Sequence, residues 1–183
     1  MSEVSWFSVP TPLPSGSVRV AITGDGVAAA EAGAQQPEVP DAIRPGDEAK
    51  AALVRQRFAE YFAGERRDFE LPLDWRLTAP GPQRTVLRTL QQTVGYGQTL
   101  AYGELAVRSG AFEAELAAGQ LGAAARNVGS IMGSCPIFLL VPCHRVVAAD
   151  GIGGFGALGL EVKRWLLTLE GVLPPTFDWN GPA

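Results

Sequence analysis

The chain has little of what metal-binding and disulfide-rich proteins are built from. Its 183 residues include one histidine, His144, and two cysteines, Cys135 and Cys143. Two cysteines make no disulfide scaffold, and with a single imidazole they do not supply the four ligands of a structural zinc site. We therefore expect no resident metal.

Long apolar runs are also absent. No stretch approaches the ~18 apolar residues of a membrane span. The N-terminus lacks the basic segment followed by an apolar one that marks a signal peptide. Hydrophobic residues still make up 46 % of the chain, and this is enough for a packed core. We predict a globular, cytoplasmic protein without a membrane anchor.

Positive charge is scarce overall, because the formal net charge is −4. The charge is nevertheless uneven along the chain. Residues 1–75 carry 7 basic and 12 acidic side chains, whereas residues 76–170 carry 8 and 6. A polyanion such as DNA is therefore expected at the C-terminal half, bound through few phosphate contacts.

The N-terminal part of the chain alternates between strand and helix signals. Residues 16–32 have the alternation and the glycine-rich turn of a β-hairpin. Prolines in the stretch 35–45 indicate a loop. A helix carrying Leu53, Phe58 and Phe62 should then run from an N-cap at Asp47 to Gly64.

Prolines and a glycine between Leu77 and Pro82 predict a domain boundary. We place an N-terminal domain at residues 1–78 and a second domain at residues 79–183. Apolar spacing predicts mostly helix in the second domain. The predicted segments are Val86 to Val94, Tyr102 to Val107 with Thr99 as its N-cap, a helical turn within 111–118, residues 123–132, and Leu160 to Glu170.

The motif Val141-Pro142-Cys143-His144-Arg145-Val146 places a thiol beside the only imidazole. A thiol becomes a useful nucleophile when a base or a positive charge favours its thiolate, and His144 and Arg145 are candidates for favouring it. A cysteine after an apolar strand is also a common core residue. Neighbours on a regular strand point to opposite faces, so the pair cooperates only if the chain turns at Pro142. The motif alone leaves both interpretations open.

Three further segments carry chemical signals. The glycine-rich stretch Asp150 to Gly159 lacks the GxxxxGK[ST] pattern of a phosphate loop and predicts a mobile flap beside the thiol. Glu170 places a negative charge at a helix C-terminus, where the helix dipole disfavours it, and an imidazole partner would explain this. Small residues around the single cation Arg126 suit either core packing or insertion into a nucleic-acid groove.

These motifs together resemble the O6-alkylguanine-DNA alkyltransferase family. The matching stretches are Gly97 to Ala106, Ala124 to Gly129, Pro142 to Val146, and Gly159 to Gly171. The resemblance implies an α+β fold, with an N-terminal three-stranded antiparallel sheet (ribonuclease H-like) and a helix. A mostly helical, winged-helix-like domain containing a helix-turn-helix would follow. It also implies a monomer that binds the minor groove of double-stranded DNA containing O6-alkylguanine and flips out the damaged base.

The resemblance further assigns chemical roles by position. Cys143 would accept the alkyl group once, irreversibly and without a cofactor, as a thioether. His144 would remove the thiol proton through water, and Glu170 would orient the imidazole. Tyr102 would donate a proton or hydrogen bond to the departing guanine.

DNA contacts are implied for a second set of residues. Arg126 would fill the place of the flipped base, while its helix presents small residues to the groove. Val146 would contact the base through its backbone. The remaining positions assigned to DNA or substrate are Ala125, Asn127, Gly129 and Ala157.

Two departures from the family pattern stand out. Cys135 occupies a hinge position before Pro136 where the family usually has asparagine. The connection between Tyr102 and Arg126 is longer than usual, with 111–119 inserted, and this could alter docking on DNA.

Three other functions compete with alkyl transfer. A non-catalytic lesion sensor of the same family would bind and flip the base, but sensors of that type replace the cysteine that this chain keeps at position 143. A cysteine hydrolase needs an oxyanion hole that no sequence feature supplies. A helix-turn-helix regulator would leave Cys143, His144 and Glu170 without a role.

Overall fold

The computed structural model describes residues 4–33 and 40–182. Part of the predicted loop at 35–45 lies outside these residues. The strands are β1 (Ser5–Val9), β2 (Val18–Ile22), β3 (Val27–Ala32), β4 (Leu100–Ala101) and β5 (Val146–Val147). The α-helices are α1 (Glu48–Phe62), α2 (Pro82–Thr93), α3 (Tyr102–Ser109), α4 (Glu113–Ala117), α5 (Leu121–Gly133) and α6 (Gly159–Leu169). Three short 3₁₀ turns lie at Trp75–Leu77, Cys143–Arg145 and Gly156–Leu158.

An antiparallel sheet forms in the order β1-β2-β3. Phe7 of β1 lies opposite Val20 of β2, which lies opposite Ala30 of β3. All three are buried, because alternate residues of each strand face the core. The predicted hairpin is confirmed as β2 and β3, and β1 completes the three-stranded sheet that the resemblance implied.

Helix α1 covers the predicted range and begins directly after Asp47, as predicted. Asp47 occupies the N-cap position, yet its side chain does not cap the helix and instead accepts a hydrogen bond from Ser5 Oγ at 2.7 Å. Leu53 is 39 % exposed, whereas Val54 and Phe58 are buried. The acid at the helix start therefore ties α1 to the sheet.

The helices of the C-terminal half follow the predicted segments with shifted ends. Thr99 is not the N-cap of α3, because residues Leu100 and Ala101 form β4 and Ala101 precedes the helix. The Ala101 N–H donates instead to the Glu104 carboxylate at 2.9 Å. α4 forms within the inserted stretch. α3 packs against α5 across this insertion, as a helix-turn-helix requires.

Three apolar residues of helix α6, Val162, Trp165 and Leu166, are buried, as the apolar spacing predicted. Leu169 is only half-buried, whereas Lys163 and Leu167 are fully buried. Gly171 follows the helix with φ +76°, the left-handed conformation that ends many helices.

A single hydrophobic core includes residues from before and after the predicted boundary at residue 78. Backbone hydrogen bonds also join β3 to the stretch that leads into the Cys143 motif. Ala30 N–H donates to Pro136 O, and Phe138 N–H donates to Ala30 O, both at 2.9 Å. The division into domains 1–78 and 79–183 stays a prediction. Among the described helices, none has the length and apolarity needed to cross a membrane.

Candidate active site

The backbone turns twice just before Cys143. Leu139 has φ +73°, and Leu140 N–H donates to Phe138 O at 2.9 Å around it. Pro142 has φ −79° and ψ 61°, and Cys143 N–H donates to Val141 O at 2.8 Å. These hydrogen bonds define two γ-turns, of which the one at Leu139 is the strained kind. The chain therefore turns at Pro142, as cooperation between Cys143 and His144 requires, and Cys143 does not continue a regular strand.

The Cys143 thiol is buried, with 1 % of the residue exposed. Burial raises the pKa of Cys143 well above its usual value, and the neighbouring Cys135 thiol adds to the rise. Cys135 itself is half-buried just beyond the C-terminus of α5. The Cys143 thiol is therefore protonated at neutral pH, and a base must remove its proton before it can act as a nucleophile.

His144 is fully buried and forms a hydrogen bond with Glu170. Its Nε2 lies 2.8 Å from Glu170 Oε1. Its Nδ1 is buried without a hydrogen-bond partner among the described residues. Because the carboxylate can only accept, we assign the ring proton to Nε2, which leaves Nδ1 as a free proton acceptor. Burial lowers the pKa of His144, although Glu170 opposes this, so the resting imidazole is neutral.

Arg145 does not face the thiol, so the hypothesis that its charge supports the thiolate is wrong. Its Nε donates to Glu170 Oε2 and its Nη2 to Glu170 Oε1, both at 2.9 Å. Its Nη1 donates to Val94 O at 2.9 Å. Burial works against ionisation of Glu170, but His144 and Arg145 hold the pKa of that carboxyl far below its usual range. Glu170 is therefore a permanent anion at the end of α6.

Lys163 is the cation on the thiol side of the site, and sequence reasoning missed it. Its buried Nζ donates to Val146 O at 2.6 Å and to Gly154 O at 2.9 Å, and it lies 3.4 Å from Tyr102 Oη. Burial lowers the pKa of Lys163 to about 8, and Cys143 opposes this fall when it is a thiolate. The signal was present in α6, because Lys163, Leu166, Leu167 and Glu170 have the spacing of one buried helix face.

Tyr102 lies between the flap and α5. Its hydroxyl donates to Gly154 O at 3.1 Å. Gly153 has φ +70°, and a Cβ there would come 3.0 Å from the Tyr102 ring. On the other side, a Cβ on Gly129 would lie 3.9 Å from the ring. The flap therefore lies beside the site, as predicted, while its mobility stays a prediction.

Helix α5 has one buried face and one exposed face. Ala124 and Val128 are buried, whereas Arg126 and Asn127 are exposed. The remaining positions assigned to DNA are partly or fully exposed: Ala125 and Gly129 on α5, and Ala157 in the flap. Core packing and groove insertion, which the sequence left as alternatives, are therefore compatible on opposite faces of one helix.

Val146 is less available than its assigned role requires. Its carbonyl accepts from Lys163, and its N–H donates to Cys143 O. A contact from its backbone to a base would therefore have to share the carbonyl oxygen with Lys163.

The assembled site lies within a stretch that matches a known family. Residues 81–172, half of the chain, match the family model described as 6-O-methylguanine DNA methyltransferase, DNA binding domain. The chain belongs to this methyltransferase family. The match contains Tyr102, Arg126, Cys143, His144, Lys163 and Glu170.

Curated relatives of the methyltransferase family cover much of the chain. A Thermus thermophilus protein named DNA base-flipping protein is 46 % identical over 70 % of this chain and 80 % of its own length. A Methanosarcina acetivorans methylated-DNA–protein-cysteine methyltransferase is 37 % identical over 76 % of this chain and 80 % of its own length.

Two solved structures from Mycobacterium tuberculosis have the same fold as this chain. The Mycobacterium tuberculosis O6-methylguanine methyltransferase structure has a TM-score of 0.71 and 32 % identity, covering 95 % of this chain and 96 % of that one. The Mycobacterium tuberculosis protein OGT in complex with DNA has a TM-score of 0.70 and 32 % identity, covering 91 % and 92 %.

Proposed function

We propose that this protein repairs DNA by accepting the alkyl group of O6-alkylguanine on Cys143, once per molecule. The observation that carries the proposal is the hydrogen bond between His144 Nε2 and Glu170 Oε1. His144 directly follows Cys143, whose thiol is buried and protonated. This bond directs the basic Nδ1 away from the carboxylate, as the orienting acid does in a Ser-His-Asp triad.

The reaction balances without a cofactor. His144 Nδ1 takes the thiol proton through a water molecule, and Glu170 stabilises the imidazolium that forms. The sulfur forms a bond to the alkyl carbon as the bond from that carbon to guanine O6 breaks. The bonding electrons leave with the guanine, which takes up a proton. The resulting thioether has no route back to the thiol, so each molecule reacts once.

Tyr102 and Lys163 are placed to assist the leaving group. Burial raises the pKa of Tyr102, and ionisation of Cys143 would add to the rise, so its hydroxyl remains a donor at neutral pH. Lys163 Nζ lies 3.4 Å from that hydroxyl. A hydrogen bond from the Tyr102 hydroxyl, with the positive charge of Lys163 beside it, would stabilise the negative charge that develops on the departing guanine.

Replacing Tyr102 by phenylalanine should slow transfer by roughly 100-fold, because the guanine loses its proton donor. DNA binding should change little, since the ring and its packing against Gly129 remain. Single-turnover transfer and fluorescence anisotropy with lesion-containing duplex measure the two quantities. A loss of binding as large as the loss of rate would contradict a role in the chemical step.

Replacing Arg126 by alanine should weaken base flipping, because we assign this exposed side chain to the place that the flipped base leaves in the duplex. The fluorescence of 2-aminopurine beside the lesion reports unstacking. Arg164→Ala, which removes an exposed arginine from α6, is the matched control for loss of charge. Equal unstacking by the two variants would contradict the assignment.

A non-catalytic lesion sensor remains the second candidate, because the Thermus relative at 46 % identity is named a DNA base-flipping protein. Repair stoichiometry separates the two functions. With excess O6-methylguanine duplex, we expect a burst that repairs one lesion per protein molecule and then stops. Lesion binding without any loss of O6-methylguanine would instead support the sensor.

A further inference from the structure

Tyr61 reaches the active site from outside the segment that matches the family. It lies on α1, 109 residues before Glu170, and is fully buried. Its hydroxyl donates to Glu170 Oε1 at 2.6 Å. The same oxygen lies 2.8 Å from His144 Nε2. A side chain of the N-terminal half therefore shares one carboxylate oxygen with the proposed base.

We propose that Tyr61 is a positioning residue of the alkyl-transfer site, holding Glu170 Oε1 and sharing its negative charge so that His144 remains a neutral base. This inference rests on the proposed function. It adds a requirement from the N-terminal half to a site otherwise built from residues 81–172.

Three donors share one oxygen of Glu170. Glu170 Oε1 accepts from Tyr61 Oη, His144 Nε2 and Arg145 Nη2. Each donor draws negative charge from the oxygen and so weakens its attraction for the proton of the imidazolium. Without the tyrosine hydroxyl, Glu170 would stabilise the charged form of His144 more strongly, and the pKa of His144 would rise.

The hydroxyl of Tyr61 is held in one direction. Its ring packs against Phe69, with centroids 4.8 Å apart, and against Phe62 and Tyr96 at 5.3 and 6.1 Å. Burial and the charge of Glu170 raise the pKa of Tyr61 well above its usual value. The hydroxyl therefore keeps its proton and acts as a donor wherever His144 titrates.

Three charged side chains shift the pKa of His144. Glu170 raises the pKa of His144, whereas Arg145 and Lys163 lower it. Tyr96 also packs near Glu170, but its hydroxyl donates to the backbone oxygen of Leu169 at 2.9 Å rather than to the carboxylate. Tyr96 therefore offers a matched control within the same aromatic cluster.

The test compares Tyr61→Phe with Tyr96→Phe. Because the chain has one histidine, an NMR titration of the imidazole reports His144 alone. In Tyr61→Phe the midpoint should rise by roughly half to one pH unit, since a hydrogen bond to a charged group is lost. In the pH profile of the transfer rate, the midpoint of the fall at low pH should move to higher pH by the same amount. Both midpoints should stay at the wild-type value in Tyr96→Phe.

The proposal would be overturned if Tyr61→Phe lowered the unfolding temperature but left the titration midpoint of His144 unchanged. Tyr61 would then have a structural role only. The imidazole titration requires no alkyl transfer, so a shifted midpoint in a protein that never methylates Cys143 would reject the proposed function alone. If Tyr61→Phe does not fold, the Tyr61 hydroxyl proton of the wild type is the second readout. A slowly exchanging, downfield NMR signal is expected, and a rapidly exchanging one would overturn the hydrogen bond.

Discussion

Glu170→Gln is expected to lower the free energy of unfolding by about 3–5 kcal/mol, the range for breaking a buried ion pair by removing one partner. Glutamine keeps the shape of the side chain but removes its charge. Arg145, which is 7 % exposed, would then be a buried cation without a counter-ion. The glutamine amide would also present two protons to an environment already filled with donors. Transfer at neutral pH should stop, because His144 loses the group that stabilises its charged form.

Chemical denaturation measures the loss, with Glu161→Gln at an exposed position of α6 as the control. The pKa of Glu170 is lowered in the folded protein, so its contribution to stability is present above the unfolded value of about 4.3. The contribution fades as pH falls below that value toward the folded pKa. The difference between wild type and Glu170→Gln should therefore shrink in acid. A loss no larger than that of Glu161→Gln would contradict the buried ion pair.

Lys163→Met is expected to slow transfer by about 100- to 1000-fold, the range for removing a preorganised electrostatic group. Methionine has a similar length but no charge. The Tyr102 hydroxyl would lose its cation, and the oxygens of Val146 and Gly154 would lose a donor. Formation of the thiolate and departure of the guanine should both become harder.

The control for this change is Lys50→Met, because Lys50 is the only other lysine in the chain and half of its side chain is exposed. Single-turnover transfer gives the rate, and hydrogen exchange of residues 150–159 reports whether the flap is released. Transfer by Lys163→Met at the rate of Lys50→Met would show that the buried cation takes no part in the reaction.

Local features of the fold were predictable from the sequence, because they leave periodic signals. The alternation at 16–32 gave the β2–β3 hairpin, and apolar spacing located α1, α2 and α6 within a few residues. The ends of the helices were predicted less accurately. Thr99 was expected to be the N-cap of α3, but β4 lies between Thr99 and the start of that helix. The side-chain partner of Asp47 was not predictable, because Ser5 lies on a strand 42 residues away.

The site was predictable where neighbouring residues carry the chemistry. The Cys143-His144 pair and the misplaced charge of Glu170 pointed to a thiol, a base and its orienting acid. The contacts of Tyr61 and Lys163 were not predicted, since a tyrosine or a lysine inside an amphipathic helix gives no sign of what it meets across the fold. Arg145 was a candidate partner of the thiol because it lies two residues from Cys143 in the sequence. Closeness in sequence does not specify the direction of a side chain, and Arg145 turns toward Glu170 instead.

The most direct test of the central claim is the mass of the peptide that carries Cys143. The protein is incubated with duplex containing O6-methylguanine, digested with chymotrypsin, which cleaves after Phe138 between the two cysteines, and compared with protein exposed to unmodified duplex. We predict that the Cys143 peptide gains the mass of one methylene group, while the peptide carrying Cys135 does not. An unchanged Cys143 peptide, under conditions where the lesion is demonstrably bound, would contradict alkyl transfer to this residue.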